Sequence, residues 1–225
     1  MEASDWVAIG IALFLGTCAL LAPYVSEIIK RKWFSPELLI EFALGRPLCH
    51  LTRSRWLDKK AQTEVFFPVY YFRFRVKNDG HSVAKNCEAR LEELWIVDSS
   101  GTAIKKDGFW PANLAIAEDN PQKDINPGRT VIFNIGHISS PECQKEYEKS
   151  ISLEIDESDK RLRFTLAFPT RYYAQLDSLL PYEYILKIAA YCESSRVEQL
   201  FGLSWSGLWK ETEEEMFREI VIRRL

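Results

Sequence analysis

A chain of 225 residues, 47% apolar and 13% aromatic, suits one sizeable domain with additions or two small domains. A net charge of −3 and a pI near 5.8 give no electrostatic case for a nucleic-acid partner. Five widely spaced cysteines (Cys18, Cys49, Cys87, Cys143, Cys192) are odd in number, which argues against a disulfide framework and for reduced, mostly buried thiols.

The first predicted element is a membrane anchor. Residues 6–25, WVAIGIALFLGTCALLAPYV, carry no charge over 20 positions. As a helix this run covers a hydrocarbon core of roughly 30 Å. Trp6 and Tyr24 stand near its ends, where amphipathic rings favour the interface. Three other readings compete. A secretory signal wants positive charge before the apolar run, but Glu2 and Asp5 precede it and the first basic residue is Lys30. LGTC at 15–18 resembles a lipoprotein cleavage box, yet the basic start is missing and the run continues past Cys18. A buried core helix would be shorter and more amphipathic. The Lys30-Arg31-Lys32 cluster after the run keeps that side in the cytoplasm by the positive-inside rule. The expected organisation is an extracytoplasmic N-terminus (1–5), a transmembrane helix (6–25), a basic juxtamembrane linker (26–35) and a cytoplasmic domain (36–225). The expected location is the inner membrane, in a single pass. Reduced cysteines agree with a cytosolic domain.

After the anchor a two-residue period takes over. Leu38, Ile40, Phe42 and Leu44 share one face, and residues 49–65 read as a long basic loop. Phe72, Phe74 and Val76 alternate with Arg73, Arg75 and Lys77; Cys87, Ala89 and Leu91 alternate with Glu88, Arg90 and Glu92. The alternation then slips by one at Leu94 and Ile96, which predicts a β-bulge near Glu92–Glu93. Further strands are expected at Val131–Ile135, Ile151–Ile155, Leu162–Phe168, Tyr182–Ile188 and, more weakly, Val197–Leu203. At the end, Thr212 and Glu215 form a capping box for a short helix to about Glu219, followed by a strand. About eight short strands without alternating helices disfavour a parallel sheet. The fold class is mainly β: a transmembrane helix, then an antiparallel immunoglobulin-like β-sandwich with a short C-terminal helix. A closed barrel is the alternative.

The stretch RVKNDGHSVAKNC (75–87) raises the question of an active site. Asn78, Asp79 and Gly80 are expected to turn the chain from one strand to the next, with Asn78 and Gly80 supplying positive φ. Adjacent Asp79 and His81 do not by themselves make a triad. FRFRVKNDGHSVAKNCEARLEEL resembles a recurring pattern in prokaryotic sandwich proteins: a strand, Asn-x-Gly, a small-residue crossover and AKNC opening the next strand. INPGRTVIFNIGHI, LPYEYILKIAAYCES and WSGLW also resemble stretches of membrane-anchored proteins of unassigned function. The resemblance spans about residues 36–220, implies an immunoglobulin-like sandwich, and brings no ligand or catalytic residue.

Cys49–His50 and His137-x5-Cys143 lack the spacing of zinc ligands, so no metal or cofactor is expected. No phosphate loop, dinucleotide fingerprint or nucleophile elbow occurs. Glu92–Glu93 and Asp156–Glu157–Asp159 read as solvated acidic clusters. Aromatics in or near loops remain. Trp110, Arg171, Tyr172, Tyr173, Trp205 and Trp209 are of the types that dominate binding hot spots, although such residues also staple the ends of sandwiches. The expected function is a membrane-held interaction module. It would contact the bilayer through residues 6–25 and a protein partner at the membrane, with self-association also open. Gly10 and Gly16 are six apart and do not form a GxxxG pair. A small-molecule sensor is the second class and a hydrolytic enzyme the third.

Overall fold

Alternation gives the long inner strands one dry face, and the chain covers those faces by stacking two antiparallel sheets on a common core. The computed structural model describes residues 3–58, 63–117, 123–151, 161–168 and 178–225. In chain order, helix α1 (Ala3–Trp33) precedes strands β1 (Leu38–Glu41), β2 (Cys49–Asp58), β3 (Thr63–Asn78) and β4 (Ala84–Val97). Short strands β5 (Ala103–Lys105), β6 (Ala112–Asn113) and β7 (Lys123–Ile125) lead to β8 (Thr130–Ser139) and helix α2 (Pro141–Ile151). Strands β9 (Phe164–Leu166), β10 (Ser178–Leu179), β11 (Glu183–Cys192) and β12 (Ser195–Trp205) follow, then helix α3 (Glu213–Glu219) and strand β13 (Ile220–Arg224).

The first sheet has the order β1-β3-β8-β9-β10, with β2 also paired to β3. The second has the order β13-β12-β11-β4-β5, with β6 and β7 also paired to β4. Phe72, Phe74 and Phe133 of the first sheet share one buried cluster with Leu91, Tyr184, Leu186 and Leu203 of the second. Trp205 bridges the two layers: its ring lies 5.9 Å from Tyr184 and 5.7 Å from Phe164, and its Nε1 donates to the Leu162 carbonyl at 3.1 Å. Residues 112–117 bond to both sheets, since the Leu114 amide donates to Ala89 O and the Asn134 amide to Ala115 O, each at 2.8 Å. The described strands form two sheets rather than the single closed barrel of the alternative, with a further backbone bond across the layers from the Leu162 amide to Gly207 O at 2.8 Å.

The bulge falls where the alternation slips. Lys187 pairs with Glu93 and Ile188 with Leu91, so Glu92 has no opposite residue. A second bulge at Ile135 lies between the Phe72–Gly136 and Arg73–Asn134 pairs. Gly136 is required there because a Cβ would stand 2.2 Å from the Phe164 ring. The tail follows its capping signal: Thr212 Oγ1 accepts from the Glu215 amide at 3.3 Å and donates to its carboxylate at 2.8 Å. Helix α3 then gives way to β13 at Ile220.

Four expectations are corrected. Residues 49–58 and 63–65 are strand rather than loop: β2 pairs with β3 from Cys49–Phe72 to Asp58–Thr63, and residues 59–62 lie outside the described set. The outer part of this hairpin has no dry face, with Arg53, Arg55, Glu64, Val65 and Phe66 all exposed, and so it shows no apolar period. Ile151 ends helix α2 rather than opening a strand, and residues 152–155 lie outside the described set. The signals for α2 were local: Ser140 caps it, its Oγ accepting from the Cys143 amide at 3.5 Å, and Pro141 takes the first helical position. The linker expected at 26–35 is helical as far as Trp33, since Glu27, Lys30, Arg31 and Lys32 all favour helix. Finally, neither Asn78 nor Gly80 has positive φ.

Helix α1 is 31 residues long and contains Pro23. Its described side chains, Ile11 and residues 13–29, are all exposed, among them Phe14, Leu20, Leu21 and Ile28. Among the described residues no helix is long and apolar enough to cross a membrane; the side chains of residues 6–10 and of Ala12 lie outside that set.

Candidate functional site

Strand β3 ends at Asn78, and the chain passes from the first sheet to the second through Asp79–Val83. Asn78 is fully buried and makes four side-chain hydrogen bonds. Its Oδ1 accepts from the Glu37 amide at 3.2 Å and the Gly80 amide at 3.0 Å, and its Nδ2 donates to Ser82 O at 2.7 Å and Ile125 O at 2.8 Å. Gly80 is needed for close approach, because a Cβ would sit 2.4 Å from Glu37 N and from Ser35 O. Asp79 is exposed and pairs with Lys77 at 2.6 Å. His81 is exposed, its amide donating to Ser35 O at 3.3 Å. The corner therefore joins three segments of chain and leaves no polar side chain of Asn78 to spare for chemistry.

The aromatic candidates divide. Trp110 is 68% exposed, beside the half-buried Phe109. Trp205 is a core residue. Trp209 is half-buried with its ring 5.1 Å from Tyr70, and its Nε1 donates to Glu211 at 3.0 Å. Arg171, Tyr172 and Tyr173 lie outside the described residues, as do Asp156, Glu157 and Asp159. Among the described residues no three His, Cys, Asp or Glu side chains stand together as metal ligands would.

The structure instead assembles a groove on the outer face of the second sheet, of about 550 Å³. Trp95, Leu200 and Leu225 supply its apolar lining and Glu93, Lys187, Glu198 and Gln199 its polar lining. Strand alternation puts these groups together. Phe201 and Leu203 point into the core, so Leu200 and Gly202 face out. Lys187 Nζ sits between Glu93 Oε1 at 3.4 Å and Glu198 Oε2 at 3.1 Å. The other Glu93 oxygen takes Lys105 Nζ at 2.8 Å, and Glu198 also meets Arg196. Lys105, Glu93, Lys187, Glu198 and Arg196 thus alternate in sign across four strands. The bond from Lys105 holds Glu93 below the usual carboxylate range, and the bond to Glu198 raises Lys187. Glu93 and Glu198 are both engaged in ion pairs, which suits recognition better than proton transfer. Leu200 and Leu225 leave apolar surface beside the charges. A volume near 550 Å³ lies within the roughly 300–1,000 Å³ of small-molecule sites.

No protein-family model matches this chain, and no curated protein matches it.

Of the groove residues, sequence reading reached only Glu93, as part of an acidic cluster on a solvated strand face. Glu92 lies beside it and accepts from the Tyr191 hydroxyl at 2.8 Å. Lys187 and Glu198 are ordinary polar members of alternating strands, and Lys187 is 94 positions from Glu93. Only the strand register brings them into contact.

Proposed function

We propose that this chain is a membrane-anchored recognition module: α1 inserts in the bilayer as a single pass, and the sandwich binds a partner on the cytoplasmic side. One observation carries the reading: the same chain joins a helix whose described side chains are all exposed to a sandwich with an uncovered groove on one sheet. The 20 uncharged residues at 6–25 support insertion, and Lys30, Arg31 and Lys32 support the orientation. Anchoring confines the groove to two dimensions and raises its effective concentration for partners in the same membrane. The order β1-β3-β8 against β4-β11-β12 supports an immunoglobulin-like topology of the A-B-E and C-F-G kind. β9 departs from it, lying beside β8 where strand D would be but following β8 in the chain. The same features support kinship with the membrane-anchored sandwich proteins that the sequence resembles.

The test uses the full-length chain in its native membrane, with a photo-crosslinking side chain at Leu200, Leu225 or Trp110 in turn. The expected result is a partner adduct from Leu200 and Leu225 that Lys187→Glu abolishes, and none from Trp110. Adducts from Trp110 alone would move recognition to the loops. Alkaline carbonate should leave the chain in the membrane pellet; release into the supernatant would overturn the anchor. The groove volume also favours a second reading, a small-molecule sensor. A saturable thermal shift with a small molecule, removed by Lys187→Glu, would replace a protein partner with a ligand.

A further inference from the structure

The outer face of the first sheet carries a second cluster. His50 pairs with Tyr71, Tyr71 with His137, and His137 with Thr165. Opposed residues of antiparallel strands share a face, and Tyr70 and Phe72 are buried in the core, so this row points away from it. The Tyr71 and His137 rings lie 5.5 Å apart. Arg73 is two residues further along the same face. Its Nε donates to Asn134 Oδ1 at 2.9 Å, and its guanidinium carbon stands 4.9 Å from the centre of the Tyr71 ring. All of these side chains are half-buried.

Two groups there lack partners. Among the described residues Arg73 has no carboxylate within ion-pair distance and its Nη groups have no hydrogen-bond acceptor, whereas Arg46, Arg75, Arg196 and Arg218 each meet a glutamate. His50 Nδ1 is buried and unbonded. An anion is the strongest acceptor that a half-buried guanidinium can take. The nearest acid that acts on His50, Glu213, is engaged by Arg46 Nη2 at 2.8 Å and the Leu51 amide at 3.0 Å. Burial lowers the pKa of both histidines, and an uncharged imidazole carries one N–H donor.

We infer that Arg73, flanked by His50, Tyr71 and His137, forms a binding site for the oxyanion of a small carboxylate or phosphate. The planar fork of the guanidinium matches the two oxygens of such a group, the arginine supplies a full positive charge, and the neutral rings supply further donors. The site lies on the first sheet and stands independently of the groove on the second.

The chain contains three histidines, which makes the test direct. Full-length protein with ¹³C-labelled histidine, in phosphate-free maltoside micelles, is titrated with acetate and with inorganic phosphate. The expected result is a saturable shift of the His50 and His137 ring signals with a dissociation constant on the order of 1 mM. The exposed His81 stays still. Arg73→Gln should weaken binding about tenfold or more, and Arg73→Lys, which keeps the charge but not the fork, should also weaken it. Should Arg73→Gln fail to fold, Arg73→Lys and Tyr71→Phe carry the comparison. Saturable shifts only when phosphatidic acid is added to the micelles would assign the oxyanion to a lipid headgroup; shifts with acetate or phosphate assign it to a solute. Linear, unsaturated drift of all three histidines, or wild-type binding by Arg73→Lys and Arg73→Gln, would overturn the site.

Discussion

Replacing Asn78 by alanine removes the four hydrogen bonds that tie the corner together. The side chain is fully buried, so water does not replace them, and two amides and two carbonyls lose a partner. At about 1 kcal/mol net per bond, and more for groups left unsatisfied, the loss is about 3–5 kcal/mol. That is a large part of a typical domain's stability, which is about 5–15 kcal/mol. Urea unfolding of the full chain in micelles, followed by tryptophan fluorescence, measures it. With a slope of about 2–3 kcal/mol per molar, the midpoint should fall by about 1–2 M. Gly80→Ala should be as damaging, since its Cβ would press on the Ser35–Glu37 backbone. The exposed Asp79→Ala should barely move the midpoint. A loss below about 1 kcal/mol for Asn78→Ala would refute the assignment of this side chain as the corner's organising group.

Other predictions are more local. Burial pushes the His137 ring from its usual 6.5 down to about 4. The unfolded chain therefore takes up a proton that the folded chain refuses, and stability should fall as pH drops from about 6.5 towards about 4. His137→Gln should flatten that part of the profile in urea midpoints; an unchanged profile would count against the assignment. Burial raises the Cys87 thiol to about 12 and also raises Cys49 and Cys143. Iodoacetamide at pH 8 should spare these three until urea is added, as peptide mass spectrometry would show. Thr212→Ala removes the cap of α3 and should cost about 1 kcal/mol, read from the same urea curves.

The sequence disclosed what periodicity records. One-sided alternation marks β3, β4, β8 and β11 because their inner faces are dry, and the slip at Glu92 marks a bulge because burial resumes out of phase. The α3–β13 tail was legible because Thr212 and Glu215 form a local motif. The β2–β3 hairpin was not, because its far end has no dry side to leave a period. Trp205 and Trp110 look alike in sequence; only the packing of Trp205 between Tyr184 and Phe164 separates a core ring from an exposed one. The groove and the Arg73 cluster were invisible for a further reason. Each is made by register between strands far apart in the chain, and each member alone is an ordinary polar residue of a strand.

The corner also has a mechanical meaning. Only residues 34–37 separate the end of α1 from β1, a reach of at most about 14 Å. That short tether is moored before the first strand begins: Ser35 O holds the His81 amide, Glu37 O holds the Asp79 amide, and the Glu37 amide holds Asn78. A tilt or pull at the helix is therefore delivered to the turn between β3 and β4, which passes the chain from the first sheet to the second. Tension on the helix would load that joint as the chain enters its first strand.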